Sequence, residues 1–387
     1  MALRDVPRAE TVGSLMRPRS VIEKLHAAYQ DLDTAVALRS DAMPERATEL
    51  AEFNRAADAA IVDVVGRQIE AGLDVVTDGE FRRTSFLSCF YDATSEGLRR
   101  ADKPLETYDA DGNLQWSGAM DPTISGRVIK GSNPAVEEAS FLRGITDHPF
   151  KITFPSASSF LFDFVPIATD AYRDRDEFAQ DAVAITRTLA QEAVAAGARW
   201  LQFDFPLYPL VVDPRRMAEQ TARTGDTAET LLEKALAVDK AVVEGLPDEV
   251  TTALHLCRGN IDGGGFWDGS LAPIAERLYN ELPYDRFLFE WEDTAREGDY
   301  EPIKFVPKGK TMVMGLISTK RPEVEDPDAV MRELEAASRY LDVEQLGLCT
   351  QCGFASLAED DRVETDEAQW RKIEVIGTVA DRVWGAR

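Results

Sequence analysis

Apolar residues recur along the chain in two alternating patterns. Short, near-continuous apolar runs that stop at a polar or small residue cover residues 10–14, 74–80, 151–156, 200–206, 251–257, 286–291, 311–318 and 345–352. Runs of this kind suit strands buried on both faces of a parallel sheet. Between them lie stretches with helical spacing. In residues 47–71, Leu50, Phe53, Ala57, Ile61, Val64, Val65 and Ile69 share one face before Gly72 stops the helix. Residues 178–196 repeat the pattern and end at Gly197, and residues 227–244, 273–281, 328–341 and 366–384 complete most of the set. Eight strands alternating with helices predict an α/β fold, a (β/α)8 TIM-type barrel, in a single domain spanning residues 1–387. An open doubly wound sheet is the alternative, but no G-x-G-x-x-G follows the first strand.

Two insertions break the spacing: residues 20–46, between the first strand and its helix, and residues 81–150, between the second and third strands. In the second, Asp111-Gly112-Asn113 reads as a hairpin turn within residues 108–116. Both leave from carboxyl ends of strands, so both are expected to cap the mouth of the barrel.

Charge narrows the partners. Among 387 residues, Lys+Arg number 43 and Asp+Glu 69, a net charge of −26. This argues against nucleic acid or an anionic membrane surface as the main partner. The first ten residues carry Arg4, Asp5, Arg8 and Glu10 without an apolar core, so no signal peptide is expected. No apolar run approaches the roughly 18 residues of a membrane span. The four cysteines, Cys89, Cys257, Cys349 and Cys352, are too few for a disulfide framework, and free thiols fit a reducing cytoplasm.

The chemistry concentrates in His255, Cys257, Glu290 and Cys352. His255 and Cys257, two apart on the fifth strand, project from the same face. Glu290 closes the sixth strand and Cys352 ends the eighth, so all four converge on the carboxyl-end mouth where active sites of this fold lie. One imidazole, two thiolates and a carboxylate suit a tetrahedral Zn2+ ion. Buried packing cysteines are the other reading. Cys349 faces away from Cys352 in an extended chain and is expected to pack in the core.

Three segments then carry a resemblance: His255-Leu256-Cys257-Arg258-Gly259-Asn260, residues 287–293 around Glu290, and Cys349-Thr350-Gln351-Cys352-Gly353-Phe354. They resemble the zinc-binding motifs of the cobalamin-independent methionine synthase family, most closely its short members made of the catalytic barrel only. Thr11-Val12-Gly13-Ser14-Leu15, residues 77–82 and residues 202–206 resemble its first-, second- and fourth-strand motifs, in family order. The resemblance implies a zinc-dependent S-methyltransferase that activates homocysteine as thiolate and forms methionine. It places Glu80 and Asp204 at the substrate ammonium and Ser14 at the carboxylate, although a strand-end carboxylate also caps a following helix. Two protein thiolates would keep a bound sulfur nucleophilic, whereas a hydrolytic site would favour His and carboxylate ligands.

Where long members carry a His after the seventh strand, this chain reads Gly315-Leu316-Ile317-Ser318-Thr319-Lys320, so Lys320 or a water stands as candidate proton donor beside Glu290. Phe205 follows Asp204 where the family carries a second acidic residue. The methyl donor implied is 5-methyltetrahydrofolate or a methylcorrinoid, the latter brought by a corrinoid protein. A folate polyglutamate would need a basic patch against the net charge, for which Arg99-Arg100 with Lys103, Arg215-Arg216 and Lys320-Arg321 are candidates. Arg82, Arg83 and Arg258 adjoin the same motifs and would serve an anionic thiol. A zinc alkyltransferase joining an epoxide to a thiol such as coenzyme M is therefore the rival reading. A corrinoid-binding subunit without catalysis is the third. Gly263-Gly264-Gly265 reads as a plain loop or as a lid over the metal.

Overall fold

The apolar runs form a ring of parallel strands in the computed structural model, which describes residues 6–29, 47–99, 106–108, 114–117, 123–162, 167–259, 267–359, 363 and 365–386. In chain order the strands are β1 (Thr94–Arg99), β2 (Glu106–Tyr108), β3 (Leu114–Ser117), β4 (Thr123–Lys130), β5 (Ile152–Pro155), β6 (Trp200–Asp204), β7 (Thr251–Leu256), β8 (Arg286–Glu290), β9 (Thr311–Ile317) and β10 (Leu346–Thr350). β5 to β10 lie side by side in that order, each pair parallel. Three parallel bridges, Ala9 to Leu348, Glu10 to Val75 and Val76 to Phe150, join the two edges of this sheet. The ring thus closes with eight positions, as the alternation of strands and helices predicts.

The first two strands are shorter than expected, and side chains explain why. The Asp74 carboxylate accepts the Arg8 and Ala9 amides at 2.6 and 3.0 Å, and the Thr77 hydroxyl donates to the Gly13 carbonyl at 2.7 Å. Side-chain bonds therefore stand in for part of the ladder. The second strand then leaves extended geometry at Gly79 (φ +70°) and Glu80 (φ +60°).

The expected helices appear as Ala47–Glu70, Arg175–Ala195, Ala228–Val243, Ala275–Glu281, Pro327–Ala337 and Asp366–Trp384. Asp174, Thr227 and Thr365 cap three of them, each side chain accepting a first-turn amide. The last helix crosses the first so closely that a Cβ at Gly377 would sit on the Ala71 carbonyl oxygen. Gly377→Ala is expected to cost about 1–3 kcal/mol through overpacking. A lower urea midpoint with an unchanged slope is the readout.

Inside the ring, Val12, Ala253, Leu288, Val313 and Cys349 form an apolar layer, so Cys349 packs as expected. Nearer the amino ends, Lys151 bridges Glu10 and Gln202, each at 2.7 Å, and Arg286 holds the other Glu10 oxygen at 2.7 Å. The mouth therefore rests on a floor of buried charge.

The insertion at 81–150 forms an antiparallel ribbon of β1 with β4, the hairpin of β2 with β3, and an unforeseen helix, Pro134–Ile145. The hairpin turn at 111–113 lies outside the described residues, as do Arg100, Lys103 and Gly263-Gly264-Gly265. Phe86 of this insertion packs edge-on against Phe205 beyond β6, ring centroids 5.7 Å apart, which carries the insertion across the mouth. The described part of the other insertion lies within the helix Arg19–Tyr29, whose Val21, Leu25 and Ala28 pack on Leu50, Phe53 and Ala358. No helix among the described residues is long and apolar enough to cross a membrane.

Candidate metal centre

The parallel register sets the site. β6 and β7 align Asp204 with His255, and β8 and β9 align Glu290 with Gly315, so Asp204, His255 and Glu290 lie toward the same end of the ring. One ligand atom each from His255, Cys257 and Cys352 lies within 4.8 Å of the others, and all three residues are buried. The Cys257 and Cys352 sulfurs are 3.6 Å apart. Two sulfurs each about 2.3 Å from a tetrahedral zinc ion lie about 3.8 Å apart. The donor set and its spacing therefore fit zinc without rearrangement of the strands.

The surroundings prepare these groups. The His255 Nδ1 faces Asp204 Oδ1 at 3.1 Å, and its Nε2 faces the Gln351 carbonyl at 3.0 Å. Burial opposes charge on this imidazole, but the Asp204 hydrogen bond and the nearby Cys352, Asp204 and Glu290 charges outweigh it, pushing its pKa up to about 9. A carboxylate behind a ligating His is the usual means of fixing ring orientation. The Cys257 thiol is pushed well above its ordinary range by its contact with Cys352 and by burial, while the Gly259 amide points at its sulfur from 3.3 Å.

Glu290 stands outside the group of three. Its Oε1 accepts from Lys320 Nζ at 2.7 Å, and its Oε2 accepts the Arg258 amide at 2.7 Å. Burial works against the Glu290 charge, but Lys320 and Arg296 more than offset it and hold the carboxyl below its ordinary range. Lys320 is likewise held as a cation: Glu290 and Glu292 overcome the cost of its burial.

The expected substrate residues sit around this centre. Glu80, 4 % exposed, accepts the Thr153 hydroxyl at 2.7 Å and lies 3.6 Å from Arg83. Burial, together with the Asp204 and Asp78 charges, raises its pKa. Ser14 is buried against Gly353, where any Cβ would collide with its hydroxyl. Glu80 (φ +60°) and Phe205 (φ +63°) both adopt the left-handed region that non-glycine residues rarely occupy. These two residues lie just past the carboxyl ends of the second and fourth ring positions, with β5 between them. Phe205 stacks on Trp267, ring centroids 4.8 Å apart.

Arg82 and Arg83 are committed elsewhere, whereas the Arg258 Nη1 and Nη2 are buried without a hydrogen-bond partner among the described residues. Arg83 donates to Glu138 and Thr153, Arg82 pairs with Asp58 and lies over the Phe141 ring, and Arg258 lies 3.6 Å from Glu297. Sequence reasoning missed Gln351, Arg296 and Glu292. Arg296 and Glu292 lie in an irregular loop after β8, where no periodicity points to a role.

A family model described as the cobalamin-independent synthase catalytic domain matches residues 33–264. The Bacillus subtilis protein YxjG is 31% identical over 386 residues, covering 97% of this chain and 94% of that one. The 5-methyltetrahydropteroyltriglutamate–homocysteine methyltransferase of Mycolicibacterium paratuberculosis is 25% identical over 316 residues, 80% of this chain and 37% of that protein. A B12-independent methionine synthase from Shewanella sp., solved in complex with selenomethionine, shares the fold with a TM-score of 0.73 over 98% of both chains, at 21% identity. With the matched motifs spread around one closed ring, the chain belongs to the cobalamin-independent methionine synthase family.

Proposed function

We propose that this protein is a zinc-dependent S-methyltransferase that converts homocysteine to methionine, with residues 1–387 acting as one barrel domain. The observation that carries the reading is the pair of buried sulfurs, 3.6 Å apart, grouped with a carboxylate-backed His. His255, Cys257 and Cys352 would hold the metal. When bound there, zinc would lower the proton affinity of an incoming thiol whose free pKa is about 8.5, presenting it as a nucleophile.

The rest of the mouth suits an amino acid. Glu80 and Asp204 are buried carboxylates, and the Asp204 charge disfavours that of Glu80. A substrate ammonium between them would relieve that repulsion, and a sulfonate would aggravate it. Ser14 and the backbone around it offer hydrogen bonds to the substrate carboxylate. The Shewanella relative was solved with selenomethionine, a close analogue of the proposed product. The pairing of Arg83 with Glu138 and of Arg82 with Asp58 weighs against coenzyme M as the thiol. A cytoplasmic setting is part of the same reading, since all four cysteines are free and buried thiols.

The test is direct. Zinc-loaded protein is incubated with homocysteine and, in separate reactions, with 5-methyltetrahydrofolate carrying one or three glutamates and with methylcobalamin. Methionine formation that is lost on chelation and restored by zinc is expected with one of these donors. Alkylation of coenzyme M by an epoxide, with no methionine from any donor, would replace this reading by its rival.

A further inference from the structure

Arg83 and Glu138 form a buried pair to which the proposed reaction gives no part. Arg83 lies in the turn that follows Glu80, and Glu138 lies on the helix Pro134–Ile145 of the insertion. Glu138 is 1% exposed and Arg83 2%. Arg83 Nε donates to Glu138 Oε1 at 2.8 Å and Nη2 donates to Oε2 at 2.5 Å, the bidentate geometry of a guanidinium on a carboxylate. Thr153 takes two further bonds, from Nη1 to its hydroxyl at 2.9 Å and from Nη2 to its carbonyl at 3.0 Å. Glu80 Oε1 lies 3.6 Å from Nη1 and accepts the Thr153 hydroxyl instead. The guanidinium thus faces two carboxylates and is hydrogen-bonded to one.

From this geometry we infer that Glu138 is a positioning residue that sets substrate specificity: by holding Arg83 bidentately it keeps that charge from closing on Glu80, whose carboxylate then selects a substrate ammonium. A guanidinium released from Glu138 would settle on the other buried carboxylate within reach, and an arriving amine would meet a carboxylate already neutralised. Burial raises the pKa of both carboxylates in spite of Arg83, that of Glu138 up to about 7. One guanidinium is too little for the two of them, and an ammonium supplies what is missing. Other charges face the group. Asp204 and Asp78 disfavour the Glu80 charge, Arg82 stands 3.9 Å from Asp78 while pairing with Asp58, and Arg17 donates to the Glu80 and Arg83 carbonyls. Burial pushes the Cys89 thiol up, so it adds no charge beside Arg83. All of these are unaltered by substitutions at Glu138 and Arg83.

The choice of thiol rests on the homocysteine reading; the charge argument holds for any thiol that reaches Glu80. Dissociation constants are measured by calorimetry on zinc-loaded protein at about pH 8, where Glu138 is ionised. The thiols are homocysteine, 4-mercaptobutyrate, which lacks only the amino group, and coenzyme M. Wild type is expected to prefer homocysteine. Glu138→Gln should weaken homocysteine about 10- to 100-fold, the scale of a hydrogen bond to a charged group, and leave 4-mercaptobutyrate unchanged. Adding Arg83→Gln should restore the preference, because Glu138 acts through Arg83. A pair needed only for folding would behave oppositely, the second substitution deepening a loss shared by both thiols. Glu138→Ala removes the same charge if the glutamine variant does not fold.

Equal weakening of both thiols by Glu138→Gln, or an unchanged homocysteine affinity, would overturn the inference and leave the homocysteine reading in place. If wild type binds coenzyme M and not homocysteine, that reading fails on its own. The inference then stands if Glu138→Gln tightens coenzyme M about tenfold or more, as a neutralised Glu80 would, and falls if that affinity is unchanged.

Discussion

Replacing Cys352 by serine should strip the protein of tightly bound zinc and abolish methyl transfer with it. Cys352 supplies one of two sulfurs in the group of three candidate ligands, 6 % exposed and 3.6 Å from its partner. A serine hydroxyl is a hard, neutral donor that does not ionise at neutral pH and cannot replace a thiolate. Losing an outer partner of a ligand already costs 10- to 100-fold in affinity or activity, so losing a ligand should cost at least about 100-fold. Metal content after dialysis against a mild chelator should fall from about one zinc per chain to near zero, and methionine formation should fall in parallel. Cys349→Ser is the control, because Cys349 lies in the apolar layer with Val12 and Leu288. It should lower stability by burying a hydroxyl while leaving zinc content intact. Retention of zinc by Cys352→Ser with loss of it in Cys349→Ser would reverse the assignment.

The barrel and the grouping of His255, Cys257 and Cys352 were legible because they rest on short-range regularities. Continuous apolar runs mark strands covered on both faces, and the i, i+2 spacing of His255 and Cys257 places both on one face whatever the surroundings. The strands at 10–14 and 74–80 were overdrawn. Their apolar character reflects burial, while Asp74 and Thr77 take the backbone bonds that a longer ladder would have used. Glu290 illustrates a different limit. Its position at the end of β8 was readable, but its pairing with Lys320, thirty residues away, and with Arg296 in an irregular loop was not. The left-handed backbone of Phe205 was also invisible, since only glycine advertises such a conformation. Likewise, spacing did not reveal that Arg83 is spent on Glu138 rather than on a substrate anion, because Glu138 lies on a helix inside an insertion.

Lys151→Met should be the most damaging substitution remote from the metal. Lys151 is fully buried, and its ammonium donates to Glu10, to Gln202 and to the Thr11 carbonyl. Methionine removes all three donations and leaves Glu10, itself 1% exposed, paired with Arg286 alone. Breaking one side of a buried pair costs about 3–5 kcal/mol, since the remaining charge keeps its desolvation penalty. Urea unfolding should show that loss at neutral pH, and a loss under about 1 kcal/mol would show that Arg286 suffices. The pH dependence carries its own sign. Burial alone would raise the Glu10 pKa, but Lys151 and Arg286 outweigh it and hold the carboxyl below its ordinary range. Its contribution is therefore present above the unfolded carboxylate pKa and lost as pH falls through the lower folded value. The gap between wild type and variant should narrow on acidification. Glu10→Gln added to Lys151→Met should deepen the loss, because it leaves the buried Arg286 guanidinium without its carboxylate. The effect should also reach the mouth: Gln202 accepts from Lys151 and donates to Asp204 at 2.7 Å, and Asp204 holds His255. A floor that loses its lysine frees Gln202 to turn, so the variant should bind zinc more weakly than its loss of stability alone explains.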